Sequence, residues 1–253
     1  MAELQGDLKS EGLPQPVGEP IKLLTAHLET SLADNLAGIT VVGSALTDDF
    51  RAGASDINTV VLLKRHDIAA LKAIALMAKP LRKQRLSPPL LMTEAYIDRS
   101  RDVFGVEFLD FQLTHQTVLG NDPFAALTFA KSDVRLQCER EFKATLIRLR
   151  QGYIAAAGNN KLTRDVLIAT AKGLAPLLRA MLWLKDVDRP QTMETTFSKA
   201  TEVFSVALDA AVTAERWRYE KTRLTDTEIA IAFEDIYAAT DRLAEIVDAL
   251  EVA

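Results

Sequence analysis

The sequence predicts an α+β protein in which a mixed sheet with helices is followed by an all-α helical bundle. Two observations support this fold class. Up to about residue 125, short β-branched apolar segments alternate with helical segments, as at 39–42 and 59–63. Beyond that point, long stretches carry apolar residues every three or four positions, which is the pattern of packed antiparallel helices. The length of 253 residues suits one large domain or two modest ones.

We expect three segments along the chain. Residues 1–20 are polar and contain three prolines, which is typical of a flexible arm. Residues 21–125 form the predicted sheet domain, and residues 126–253 form the predicted C-terminal helical bundle.

The first half contains alternating strand and helix patterns. A helix is predicted after Pro20, a second at 67–85 with Pro80 bending or ending it, and a short one that Thr93 caps. The predicted strands are 39–42, 59–63, 90–92 and a third major strand at 106–111.

The second half is predicted to hold about four helices of similar length. Leu136 and Tyr153 mark the apolar face of the first helix. The others are expected at 163–185, at 193–217 and after the capping-box pair Thr225 and Glu228.

The composition limits the setting and the partners of the protein. A net charge of −5 argues against non-specific binding to nucleic acid or an anionic membrane. Cys138 is the single cysteine, so no internal disulfide forms, and a cytoplasmic location is expected. No uncharged apolar run approaches the roughly 20 residues that cross a bilayer. His27, His66 and His115 lack metal-ligand spacing and are assigned no role.

The first candidate constellation is the pair Gly43–Ser44, followed after eleven residues by Asp56, Ile57 and Asn58. Because side chains alternate along a strand, Asp56 and Asn58 point one way and Ile57 points into the core. Glycine allows close backbone approach, and the serine hydroxyl adds a hydrogen-bonding group. Two oxygen ligands on one face near such a turn suit a divalent metal and the phosphates that it carries. The alternative is that these polar residues simply begin a strand.

The second candidate is Glu107 in the predicted strand at 106–111. A carboxylate between apolar neighbours is costly unless it has a partner, and a metal shared with Asp56 would be one. Asp110 is expected in a salt bridge or on the solvent face.

Together these residues resemble the nucleotidyltransferase fold shared by DNA polymerase beta and the minimal and aminoglycoside nucleotidyltransferases. The family pattern is an apolar strand ending in Gly-Ser, then Asp-x-Asp, then a third carboxylate on a later strand. Gly43, Ser44 and Asp56 match it, and Glu107 is taken as the third carboxylate. The helical half resembles the bundle of the aminoglycoside enzymes. The resemblance implies that Asp56, Asn58 and Glu107 hold Mg²⁺ and that Asp56 and Glu107 are catalytic.

Two positions depart from the family pattern. Asn58 stands where the second Asp is expected, and Ala45 follows Gly-Ser where an Arg is common. An amide carbonyl attracts a hard dication less than a carboxylate does. Asn58 is therefore expected to support one metal ion better than two.

Two functions remain open from the sequence. The first is transfer of a nucleoside monophosphate, most simply AMP from ATP, to a hydroxyl of a small molecule or a protein. Arg135, Arg140 and Lys143 on the first bundle helix would then bind the nucleotide, unless they pair with Glu139 and Glu141 or face water. The alternative is a catalytically inactive nucleotide-binding or protein-interaction module on the same fold. The sequence leaves open whether the chain forms a homodimer.

Overall fold

The structure is a computed structural model, and it describes residues 12–220 and 224–252. Residues 1–11 of the predicted arm lie outside the described part. The prediction of an arm is wrong for the residues just before Pro20, because helix α1 spans Gln15–Leu32 and has Pro16 in its first turn. A proline is tolerated there because the first N–H groups of a helix have no intrahelical acceptor.

The described chain divides into two compact units. One contains the residues up to Arg101 together with Phe111–Thr128, and the other contains Asp102–Asp110 together with Phe129–Ala253. The second unit therefore takes a short piece of chain from within the predicted sheet domain.

The first unit contains a mixed four-stranded sheet. Its strands are β1 (Leu36–Val42), β2 (Asn58–Leu63), β3 (Leu90–Met92) and β4 (His115–Leu119), in the order β3-β2-β1-β4. Strand β1 pairs antiparallel with both β2 and β4, whereas β2 pairs parallel with β3. The predicted strands at 39–42 and 59–63 are confirmed, with starts three residues and one residue earlier, and the strand at 90–92 is confirmed with the predicted bounds.

One face of the sheet packs against helix α1. Ile39, Val41 and Val61 belong to a buried apolar cluster that also contains Ile21 and Leu28 of α1. Helices α2 (Ile68–Leu76), α3 (Ala78–Lys83) and α4 (Glu94–Arg99) complete this unit. The Thr93 side chain accepts a hydrogen bond from the Tyr96 backbone N–H, which confirms the predicted cap of α4.

The predicted third major strand at 106–111 is wrong, because these residues belong to helix α5 (Gly105–Leu113). Val106 and Leu109 are buried three residues apart while Glu107 is exposed, and this spacing is helical. The last strand is instead β4, which was not predicted.

The second unit is a helical bundle of α6 (Lys131–Ala156), α7 (Asn160–Leu184), α8 (Met193–Phe204), α9 (Asp209–Arg216) and α10 (Asp226–Asp248). The prediction of a single helix at 193–217 is wrong, because Ser205 adopts a left-handed conformation (φ 53°) that ends α8. The predicted capping box is confirmed: the Glu228 N–H donates to the Thr225 hydroxyl, and the Thr225 N–H donates to Oε2 of Glu228.

Helix α7 lies at the centre of this bundle. By length and composition alone it could cross a membrane. Twelve of its residues are nevertheless buried, and Leu167, Leu174 and Met181 pack in one continuous apolar core with residues from the other bundle helices. Helix α7 therefore contributes much of the apolar core of the bundle.

Candidate functional site

The Gly-Ser pair forms a tight turn directly after β1. Gly43–Leu46 make a short 3₁₀ turn, and the Gly43 N–H donates to the carbonyl of Thr114 over 2.9 Å. Gly43 has φ +78°, a conformation that favours glycine. A Cβ built at Gly43 meets nothing within 4 Å, so the space beside this backbone is open to a ligand.

Asp56 and Asn58 lie across from this turn at the start of β2. Ile57 between them is 1 % exposed, which confirms the predicted alternation of side chains. Asn58 is exposed and is the register partner of Val42, the last residue of β1. Oδ1 of Asp56 lies 3.9 Å from Nε of Arg85 in an ion pair that is about half exposed.

Val42 has a register partner on each side, Asn58 on β2 and His115 on β4. Directly opposite residues of antiparallel strands share a face, so the Asn58 and His115 side chains leave the same face of the sheet. Their Cα atoms are separated by two strand spacings, about 10 Å. We call these three residues, Asn58, Val42 and His115, the cross-strand row; none of them carries a carboxylate.

His115 is held by an acid that lies seven residues further along the chain. Its Nε2 lies 2.8 Å from Oδ2 of Asp122, whose Oδ1 also accepts from the backbone N–H groups of Phe124 and Ala125. Burial raises the pKa of Asp122, but the hydrogen bonds from His115 and from the two N–H groups outweigh it and leave the pKa below its usual value. Nδ1 of His115 is buried and has no hydrogen-bond partner.

Sequence reasoning assigned His115 no role, and two signals could have led to it. Residues 119–123 (Leu-Gly-Asn-Asp-Pro) form a strong turn signal that contains Asp122, and a strand ending at that turn would begin near His115. The strand predicted at 106–111 left no room for another strand that ends at this turn.

Glu107 does not lie on the sheet with Asp56. It is exposed on α5, where its Oε2 accepts from Nε2 of Gln137 over 2.6 Å. Residue 107 belongs to the second unit and Asp56 to the first. The placement of Glu107 on a sheet strand is therefore wrong, and its catalytic and metal-binding roles stay predictions.

The three basic residues that were predicted to bind nucleotide all have partners within the bundle. Arg135 donates to Glu139 and to the carbonyl of Val247 near the end of α10. Lys143 pairs with Glu139 over 2.5 Å, and Arg140 pairs with Glu141 over 3.3 Å. These contacts match the alternative in which the basic residues pair locally, and their nucleotide-binding role stays a prediction.

A comparison with solved structures identifies the fold. The chain is similar to a crystal structure of spectinomycin adenyltransferase AAD(9) from Enterococcus faecialis with ATP and spectinomycin, with a TM-score of 0.58 and 12 % sequence identity. The match covers 88 % of this chain and 98 % of that chain. This chain has a nucleotidyltransferase-like fold. No family model matches the sequence, and no curated protein matches it.

The nucleotidyltransferase-like fold implies a pair of magnesium ions, and the donor set can be tested against that expectation. Within the described residues, no group of three or more His, Cys, Asp or Glu side chains is placed to hold a metal ion. Asp56 and Asn58 supply one carboxylate and one amide, and the cross-strand row adds an imidazole. Magnesium prefers carboxylate, phosphate and water oxygens. These residues therefore do not fit a resident pair of magnesium ions.

Proposed function

We propose that this protein binds a nucleoside triphosphate, most simply ATP, at the Gly43–Ser44 end of the sheet, and that it has little or no metal-dependent nucleotidyl transfer. The observation that carries the proposal is the cross-strand row, which presents an amide at position 58, where the family pattern has its second Asp, and an imidazole on the neighbouring strand β4. The nucleotidyltransferase-like fold supports nucleotide binding by analogy. A cytoplasmic location agrees with this function.

The Gly-Ser turn is the proposed contact for the phosphates. The open space beside Gly43 lets a phosphate oxygen reach the backbone, and the half-buried Ser44 offers a hydroxyl donor from the same turn. Because the Gly43 N–H is bonded to the carbonyl of Thr114, which directly precedes β4, the turn is fixed relative to the start of that strand. A fixed turn loses less conformational entropy when it binds a ligand.

A second candidate function is transfer of AMP from ATP to a hydroxyl of a small molecule or a protein. The observation that favours it is the extent of the similarity to AAD(9), because a match over 98 % of that chain includes helices of the bundle as well as the sheet. In this case Asp56, at the Gly43–Ser44 end of the sheet, is the acid that would take part, with Asn58 assisting at a metal. Its acceptor would be a hydroxyl compound of unknown identity.

Nucleotide binding can be tested by isothermal titration of the full-length protein with ATP, GTP, CTP and UTP. Ser44→Glu places a negative charge at the turn, so we expect it to weaken binding of the preferred nucleotide about tenfold or more. Ser132→Glu puts the same charge at an exposed position at the start of α6 and should leave binding unchanged. If the wild-type protein binds none of the four nucleotides, the proposal is wrong.

Transfer can be tested by pyrophosphate release from ATP with magnesium and a panel of hydroxyl acceptors. We expect wild-type protein to release no more pyrophosphate than the Asp56→Ala variant. Release that depends on Asp56 would instead establish the second candidate, and mass spectrometry of the acceptors would then identify the adenylylated product.

A further inference from the structure

With Asn58 in place of an Asp, the Gly43–Ser44 end of the sheet carries one negative charge fewer and attracts metal ions less. We call this end of the sheet the sheet end. A carboxylate only accepts hydrogen bonds and repels phosphate, whereas an amide carries no charge and offers two N–H donors. In a site with bound magnesium, the metal separates the carboxylates from the phosphates. At an exposed amide such as Asn58, a phosphate oxygen can bind directly.

The remaining carboxylate of the motif already has a cation beside it. Arg85 approaches Asp56 to 3.9 Å, and its guanidinium also donates to the carbonyl of Ala54 in the loop before Asp56. This second contact holds the positive group at the loop. Asp56 therefore repels an incoming phosphate less than an unpaired carboxylate would.

On the other side of Val42, β4 contributes the imidazole of His115. The acid nearest to this imidazole, Asp122, is occupied by His115 and by two backbone N–H groups. The side chains that flank Val42 thus carry no negative charge of their own, and Asp56 and Asp122 each have a positive or hydrogen-bonding partner.

We propose that the sheet end binds the phosphates of a nucleoside triphosphate directly through hydrogen-bond donors, with Asn58 as one of them, and that this binding does not require a divalent metal ion. This inference rests on the proposed nucleotide binding, and it specifies which interactions bind the phosphates. A triphosphate free of magnesium is then as good a ligand as its magnesium complex.

The experiment compares ATP affinity in EDTA with ATP affinity in excess magnesium chloride, using full-length protein. For the wild type we expect the two dissociation constants to agree within about threefold. Asn58→Asp restores a repelling carboxylate, so we expect its affinity to fall about tenfold or more in EDTA and to recover when magnesium is added. Gln151→Glu makes the same amide-to-carboxylate change at an exposed position on α6 and should behave as wild type.

A second measurement reports on metal binding without nucleotide. Electron paramagnetic resonance of Mn²⁺ should show the ion free in the presence of wild-type protein and bound more tightly by Asn58→Asp. Circular dichroism and thermal unfolding establish that each variant is folded.

The outcomes separate this inference from the proposed function. Wild-type binding of ATP only in the presence of magnesium overturns the inference but leaves nucleotide binding intact. An Asn58→Asp variant that is folded and retains wild-type affinity in EDTA also overturns the inference. Absence of ATP binding in both conditions, with no other nucleotide bound, means that the proposed function itself is wrong.

Discussion

The side chain of Gln137 on α6 donates from Nε2 to Oε2 of Glu107 on α5 over 2.6 Å. Its other end, Oε1, accepts from the backbone N–H of Val106 over 2.9 Å. A single buried amide therefore satisfies the Val106 N–H in the first turn of α5 and orients Glu107. The contact that Glu107 makes with Gln137 therefore belongs to the packing of α5 on α6.

Removal of this amide should destabilise the protein. Gln137→Ala leaves the Val106 N–H without its acceptor in a buried place, which costs about 1–3 kcal/mol in the free energy of unfolding. Gln151→Ala, at an exposed position of the same helix, should change that free energy by less than about 0.5 kcal/mol. Urea denaturation of the variants measures both values, and equal effects would show that the Gln137 contacts contribute nothing.

The ion pair between Asp110 and Arg179 is expected to be essential for the bundle. Nε of Arg179 lies 2.5 Å from Oδ1 of Asp110, and both side chains are largely buried. Burial lowers the pKa of Arg189, whereas the charge of Asp110 raises it and that of Arg179 lowers it. Asp110 therefore interacts favourably with both arginines. Asp110→Asn should lower the free energy of unfolding by about 3–5 kcal/mol, because it leaves buried positive charge without its anion.

An exposed pair provides the control for that measurement. Arg216 and Glu194 lie 3.1 Å apart, and both side chains are more than half exposed. Glu194→Gln should lower the free energy of unfolding by no more than about 1 kcal/mol. Urea denaturation measures both changes in the free energy of unfolding. A decrease for Asp110→Asn as small as that of the control would contradict the assignment of the buried pair as a stabilising contact.

The low pKa of Asp122 predicts a dependence of stability on pH. Because the pKa in the folded protein lies below that in the unfolded chain, Asp122 stabilises the fold above about pH 4 and loses this effect as the pH falls through its folded pKa. We therefore expect Asp122→Asn to be less stable than wild type at pH 6, with a difference that shrinks toward pH 3. Urea midpoints over this pH range measure it. A constant difference would rule out the titration of Asp122 as the cause.

Cys138 should be inert toward thiol reagents in the folded protein. It is fully buried, and burial, with help from Glu107 and Glu141, raises the pKa of its thiol to about 12. We expect no labelling by Ellman's reagent at pH 8 without denaturant and one equivalent in urea. Rapid labelling of the native protein would show that α6 opens readily.

The sequence predicted the elements whose signals are local. The capping box at Thr225 and Glu228, the cap at Thr93 and the burial of Ile57 each depend on neighbouring residues, and all three are confirmed. The Asp56–Asn58 spacing likewise located the end of the sheet.

The prediction failed where distant residues decide the structure. Residues 106–111 alternate apolar and polar residues in part and fit a strand or a helix. The helix buries Val106 and Leu109 in the bundle core, and Gln137 and Arg179 bind its polar groups, all from positions more than 25 residues away. The pairing of His115 with Val42 is likewise long-range, and the local turn signal at 119–123 indicates where β4 ends but not which strand it pairs with.

The contribution of α5 to the bundle core affects how the chain can be divided and made. Val106 and Leu109 pack with Val134 and Cys138 in that core, although they precede the bundle helices in the chain by more than 20 residues. A truncated protein that begins at residue 126 would lack them and expose the apolar surface that they cover. During synthesis, the short piece 102–110 would leave the ribosome before the helices that it packs against, so this core would be completed only after the bundle is made.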